Sequence, residues 1–142
     1  AETKAYAEVQ ILAACAKTKD DIENNNKTMT IAVAPHQVYG PHDRLFLPSL
    51  LETAASGKLR IFGPGNNKVS FCYVDNYCHG LICGADSMRT AASPSLGKFY
   101  IITDGGEENF WKFLDEAIVG MGFPPLKDKF HLPTGLLMAI AY

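Results

Sequence analysis

Residues 29–34, MTIAVA, decide the fold class. The run is short, almost wholly apolar, and carries the β-branched residues Thr30, Ile31 and Val33. It reads as a strand buried on both faces, the kind that lies inside a parallel sheet. Pro35, with no amide donor, is the expected end of it. Upstream, residues 20–27, DDIENNNK, form a polar loop, and residues 2 to about 18 a helix. Ala5, Val9, Leu12 and Ala16 recur there at three- and four-residue spacing, with Lys4, Glu8 and Lys17 among the polar positions.

Downstream, VYGPHDR (38–44) is a loop broken by Gly and Pro, and residues 45–55 are a helix ended by Gly57. Residues 59–62 are a short strand, GPGNN (63–67) a turn, and 69–74 a second strand. Asp75 is the expected cap of a helix running to about Met88. After a loop over 89–97 comes another buried-type strand, 99–102. Asp104 and Glu107 flank the start of a last helix, with Phe110, Leu114, Ala117, Ile118 and Met121 as its apolar stripe and Pro124 and Pro125 beyond it. Strands alternating with helices predict an α/β architecture, with 29–35 and 98–103 in one parallel sheet and 59–62 and 69–74 in shorter pairings.

Composition narrows the function. The 142 residues are 47% hydrophobic and 20% charged, which suits one packed domain or part of one and excludes a disordered tail. A net charge of -2 supplies no basic field for nucleic acid. The longest apolar runs are about 10 residues, too short to span a bilayer. The chain opens without an initiator Met and closes inside the apolar run LPTGLLMAIAY, so it reads as an internal segment of a longer protein. Leu136 to Tyr142 could begin a longer apolar segment, which leaves membrane attachment open, and the sequence also leaves a homodimer open.

The residues alone offer thin chemistry. GPGNN is a turn rather than a phosphate cradle, since Pro64 lacks an N–H and no Lys-Ser/Thr pair follows. Cys72, Cys78 and Cys83 fit no common zinc spacing and read as buried reduced thiols, which favours a reducing compartment. His36 and His42 flank the loop after the buried strand, with Asp43 and Arg44 beside them. An acid–base role stands there against histidines that bond backbone or water. Two imidazoles without a third ligand make a poor metal site, so no metal is expected. His79 and His131 read as structural, and Asp115 with Glu116 as a solvated helix face. Tyr6, Phe110, Trp111 and Phe113 read as core or interface residues. Ser49, Ser70 and Ser95 lack the glycine-flanked elbow of a hydrolase nucleophile.

One combination is specific: ETKAYAE on a helix, TIAVAPHQVYGPHDR, SGKLRIFGPGNNKVSFCYVDN, then LGKFYIITDGGEENFWKFL. In this order the chain resembles the C-terminal half of an extended short-chain dehydrogenase/reductase. Within that superfamily it is most similar to the 3β-hydroxysteroid dehydrogenase family, and there to the sterol-4α-carboxylate 3-dehydrogenase (decarboxylating) branch. VYGP and YVDN mark the superfamily, and GKFYIIT followed by NFWKFL the branch.

The resemblance implies the C-terminal part of a Rossmann-like, doubly wound parallel sheet with a small substrate-binding subdomain. Residues of about 1–35 and 98–104 would be nucleotide-domain elements, and about 36–97 and 105–142 mainly substrate-side elements. The glycine-rich dinucleotide-binding half would lie upstream of Ala1. It implies an oxidoreductase that uses NAD or NADP on a steroid or 4α-carboxysterol in sterol biosynthesis, inside the cell, in the cytoplasm or at the endoplasmic reticulum. Lys4 matches the lysine of the family's Tyr-x-x-x-Lys pair, whose members stand on one helix face. The tyrosine would precede Ala1, and Tyr6 points away from the face of Lys4. Lys4 thus takes a catalytic and a cofactor-binding role by resemblance, and Pro35, His36, Gln37 and Val38 receive the nicotinamide carboxamide. Two other readings stand beside this one. The first is a nucleotide-sugar epimerase or dehydratase, although Val69 and Ser70 occupy the positions where such enzymes carry a phosphate-binding Arg. The second is a non-catalytic fragment or interaction module. On this inventory the 142 residues alone are expected neither to bind NAD(P) nor to oxidise a sterol.

Overall fold

The computed structural model of the chain describes residues 2–16, 18–24, 27–135 and 139. The helices are α1 (Glu2–Ala13), α2 (Lys19–Glu23), α3 (Leu47–Ala55), α4 (Val74–Ser87) and α5 (Phe110–Gly120). The strands are β1 (Ala32–Pro35), β2 (Gln37–Tyr39), β3 (Lys68–Val69), β4 (Phe71–Tyr73), β5 (Phe99–Ile102) and β6 (Glu108–Asn109). They fall into two compact units, residues 1–36 with 72–103 and residues 37–71 with 104–142. Residues 72–97 therefore pack with the first unit. Among the described residues no helix is long and apolar enough to cross a membrane. The apolar segment Leu136 to Tyr142 lies outside the described residues but for position 139.

In the first unit β1 and β5 pair in parallel, as the two apolar runs require, with Ala32 opposite Phe99 and Pro35 opposite Ile102. Pro35 closes the strand from inside. The amides of Ala32 and His36 donate to Lys98 O (2.9 Å) and Ile102 O (3.3 Å). Donors toward β5 thus recur with period two, and the proline nitrogen falls on the side away from β5, where its missing N–H costs no bond. The strand begins at Ala32 rather than Met29 because the stretch before it is tied to the end of α1. Thr30 N donates to Cys15 Sγ and Cys15 Sγ to Thr30 O, both at 3.3 Å, and Thr28 bridges Cys15. α1 itself stops at Ala13. Part of the expected polar loop is helical, because Thr18 and Asp21 close a capping box over α2.

α4 packs on β1 and β5 through Gly80 and Gly84. A Cβ on Gly80 would lie 2.9 Å from Ile102 Cγ1, and one on Gly84 2.6 Å from Ile31 Cδ1. Glycine here sets how closely the helix approaches the sheet. Asp75 stands in the first turn of α4, and the N-cap is Tyr73, whose side chain makes no capping bond. The two-faced burial read from FYII does not hold among the described residues, where Phe99 is 42% and Ile101 66% exposed. Among the described residues, α4 on one side and α1 across an open hollow on β1 leave these side chains of β5 largely exposed.

The second unit has its own core of Ala54, Leu59, Ile61, Trp111, Leu114, Ile118 and Leu126. Leu114 and Ile118 confirm the stripe of α5, while Met121 follows the last turn as C-cap and is exposed. The cap of α5 is Asn109, which follows the Asp104 and Glu107 expected to flank its start. Its Oδ1 accepts the Lys112 amide (2.9 Å) and its Nδ2 donates to Gly65 O (2.8 Å). Trp111 Nε1 donates to Asn67 Oδ1 (3.0 Å). The GPGNN turn is thereby fastened to α5, with Gly63 and Gly65 at φ of 64° and 70°, where glycine is favoured. Lys68 and Val69 pair antiparallel with Asn109 and Glu108. Residues 59–62 form no strand; Leu59 and Ile61 point inward as a strand would, but only Phe62 bridges, to Leu132. Asp115 is not merely solvated, since its carboxylate accepts the Leu126 amide.

Asp43 starts α3. Its carboxylate accepts the amides of Leu45 (2.9 Å), Phe46 (3.0 Å) and Leu47 (2.9 Å). These bonds, that of Leu47 foremost, hold its pKa below the ordinary 3.8. A depressed carboxyl pKa stabilises the fold above the unfolded value, and that stability is lost as pH falls through the folded one. Asp43→Asn is therefore expected to lower the urea midpoint at pH 7, with the deficit closing as pH drops below 3.8. In the core, Leu114→Ala is expected to cost about 2–5 kcal/mol in the same experiment. Val119→Ala, on the exposed side of α5, should cost less than about 1 kcal/mol.

Candidate functional site

Lys4 lies in the first turns of α1. Lys4, Ala7, Glu8 and Ile11 recur at helical spacing and form one wall of an open hollow of about 340 Å³. Residues 32–34 of β1 form the opposite wall. The structure thus sets Lys4 on one hollow with residues 31–34, the residue before β1 and the first three of this half-buried strand. Tyr6, two residues on, is 69% exposed and does not line the hollow. Among the described residues Lys4 has no ion-pair partner.

The other residues singled out in the sequence lie just past that wall. Pro35 ends β1, and the His36 amide is held by Ile102 O at 3.3 Å. The His36 side chain is exposed. Gln37 and Val38 open the second unit as β2, a short strand where a loop is expected. The Gln37 amide donates to Ser70 O (3.3 Å) and its Nε2 to Val38 O (3.4 Å). His42 holds a left-handed backbone conformation at φ 67° beside the capping Asp43. Among the described residues no three His, Cys, Asp or Glu side chains gather as metal ligands would.

A second hollow, of about 190 Å³, escaped the sequence reading. Its walls are Tyr39, Phe71 and Phe113, with Asp104, Gly105 and Glu108 at its polar side. Phe71 and Phe113 stack at 3.9 Å, and Tyr39 meets Phe113 edge-on at 5.3 Å. Tyr39 Oη donates to Asp104 Oδ2 (3.1 Å), and the Asp104 amide to Phe71 O (2.9 Å). Tyr39 follows β1 by four residues and Asp104 follows β5 by two. Segments leaving the carboxyl ends of parallel strands are where open α/β sheets place their ligands. That rule is the signal that could have found the pair.

The cysteines divide differently from the expectation. Cys15 and Cys72 are buried, but Cys78 and Cys83 are exposed on α4. Cys83 Sγ lies 3.4 Å from Nε2 of His79, one turn away. On β3, Lys68 pairs with Glu107 at 3.5 Å, both side chains exposed.

Comparison with known proteins agrees with this architecture. The dTDP-glucose 4,6-dehydratase DesIV of Streptomyces venezuelae, solved with NAD bound, superposes with a TM-score of 0.64. It covers 93% of this chain and 37% of its own, at 16% sequence identity. The epimerase Mth375 of Methanothermobacter thermautotrophicus superposes with a TM-score of 0.66 at 15% identity, covering 92% of this chain and 36% of its own. Likeness at that identity shows the fold, a Rossmann-like α/β arrangement, and nothing finer. Sequence relatives are nearer. The human sterol-4-alpha-carboxylate 3-dehydrogenase, decarboxylating, is 34% identical over 133 residues, 93% of this chain and 33% of that protein. The Arabidopsis thaliana 3beta-hydroxysteroid-dehydrogenase/decarboxylase isoform 2 is 31% identical over 144 residues, 99% of this chain. The chain spans 24% of the length of the Arabidopsis protein. Residues 1–133, nearly the whole chain, match the 3-beta hydroxysteroid dehydrogenase/isomerase family, and the chain belongs to it.

Proposed function

We propose that this chain supplies the lysine-bearing helix and the substrate-side segment of an NAD(P)-dependent oxidoreductase. Its reaction is oxidation of the 3β-hydroxyl of a steroid or a 4α-carboxysterol. The observation that carries the reading is Lys4, an ammonium without a carboxylate partner among the described residues, on a hollow shared with residues 32–34 of β1. A cation on a hollow beside a strand of a parallel pair fits the ribose end of a nicotinamide nucleotide. When bound, the nicotinamide supplies the acceptor for the hydride leaving C3.

The chain's own residues do the rest. The Lys4 ammonium donates to ribose hydroxyls, and its charge favours the phenolate of a tyrosine one turn earlier on the same helix. That phenolate takes the substrate proton. Pro35, His36 and Val38 offer the backbone at the carboxyl end of β1 to the carboxamide. Residues 1–35 and 98–104 serve the nucleotide side, and the aromatic hollow of Tyr39, Phe71 and Phe113 suits an apolar substrate. Where the substrate is a 4α-carboxysterol, the new 3-ketone stands β to the carboxylate, and CO2 leaves with its bonding electrons delocalised into the ketone. The cellular setting that goes with a sterol substrate is the cytoplasm or the endoplasmic reticulum. Against a nucleotide-sugar substrate, Val69 and Ser70 provide no guanidinium for a diphosphate, and Lys68 is engaged with Glu107.

The test has two arms. Calorimetric titration of the 142 residues alone with NAD and NADP should show no submicromolar binding. The same chain preceded by its upstream coding sequence should oxidise a 3β-hydroxysterol, and Lys4→Met should lower kcat by about a hundredfold or more. Turnover of a nucleotide sugar instead, or full kcat in Lys4→Met, would refute the reading.

A further inference from the structure

Outside that site, α4 carries an exposed thiol beside a base and a cavity. Cys83 Sγ and His79 Nε2 are 3.4 Å apart at i and i+4, both on the solvent side of the helix. A nucleophile within hydrogen-bond reach of an imidazole is the arrangement that activates it. Cys83 also borders an apolar hollow of about 230 Å³ between α4 and the strands, walled by Ile31, Val33, Tyr100 and Ile102. Cys78, also exposed on the same helix, is not among the residues that wall this hollow, and among the described residues no imidazole pairs with it.

We propose that Cys83 is a covalent modification site for lipophilic α,β-unsaturated aldehydes, with His79 as its base and the hollow as the seat of the alkyl tail. The chemistry is conjugate addition. His79 Nε2, in the tautomer that leaves it unprotonated, takes the thiol proton as Sγ bonds to the β-carbon of the aldehyde. The carbon–carbon π bond breaks, its electrons pass through the carbonyl, and the proton returns to the α-carbon. Sulfur is alkylated, and no outside oxidant or reductant enters. A short enal lacks the tail that the apolar walls would bury, so the selectivity belongs to long-chain members of the class.

The 142-residue chain is treated with trans-2-nonenal or with acrolein, which has the same reactive head and no tail. Adducts at Cys83 and Cys78 are then counted by peptide mass spectrometry. Nonenal is expected to favour Cys83 about tenfold, and acrolein clearly less, because only nonenal buries methylenes in the hollow. His79→Ala, a change at an exposed position, should slow nonenal addition at Cys83 severalfold while leaving Cys78 unchanged. Parity of the two cysteines in the unsubstituted chain, an equal preference with acrolein, or an addition rate at Cys83 that His79→Ala does not lower each overturns the proposal.

Discussion

The register of β1 against β5 is the constraint on which the first unit depends. With Pro35 opposite Ile102, the donors at Ala32 and His36 face β5 and the proline nitrogen does not. A slip of one residue would put that nitrogen in the ladder, where a donor is needed, and would exchange the two faces of the strand. The faces are not equivalent. Tyr100 and Ile102 border the space under α4, Ala32, Ala34 and Phe99 the hollow shared with α1, and Ile31 and Val33 reach both. Small alanines leave room beside Lys4, and large side chains meet the glycines of α4. The same register fixes where the chain leaves the two strands, at His36 from one and Thr103 from the other.

The second unit is held by a different device. Its core is small, and the polar groups around it are tied rather than left to water. Asn67 takes the indole of Trp111, Asn109 caps α5 while holding Gly65, and Asp115 takes the amide of Leu126. Together these bonds tie α5 and its cap to stretches of the chain that carry little regular structure. The GPGNN turn and the turn after α5 therefore keep fixed places without strand pairing of any length. Net gains of about 1 kcal/mol per bond are modest, but leaving these groups unpaired in a packed interior would cost more.

Sequence patterns were most legible where one requirement dominated. MTIAVA and FYII are apolar on both faces, and parallel pairing is what such runs do. α5 followed from Leu114 and Ile118 at helical spacing. Boundaries were harder, because competing bonds decide them. Residues 28–31 look like the rest of the strand, yet Cys15 takes Thr30. Asp75, Asp104 and Glu107 are all plausible caps on paper, but capping depends on the backbone angle at one position, and Tyr73 and Asn109 hold it. Leu59 and Ile61 alternate as a strand does, and the core accepts them without a ladder. The cysteines of α4 were misjudged because thiols are usually buried, whereas the glycines turn that face of the helix to the sheet and Cys78 and Cys83 away from burial.

The candidate site divides along the same line. Lys4 carries no mark in its own neighbourhood that separates it from a surface lysine. It became a candidate through resemblance, and its position on the hollow with β1 is a matter of tertiary packing. Tyr39 and Asp104 stand 65 positions apart, and nothing local to either announces the bond between them. What they share is topological: each follows a strand of the same parallel pair within four residues. Once two runs are recognised as parallel neighbours, the segments that follow both carboxyl ends leave in the same direction along the chain. Polar residues there, between turn-forming glycines such as Gly40 and Gly105, are worth marking before any contact is known. On that rule Asp104 is marked for its place after β5, where it meets Tyr39, and not only as a residue that flanks the start of α5.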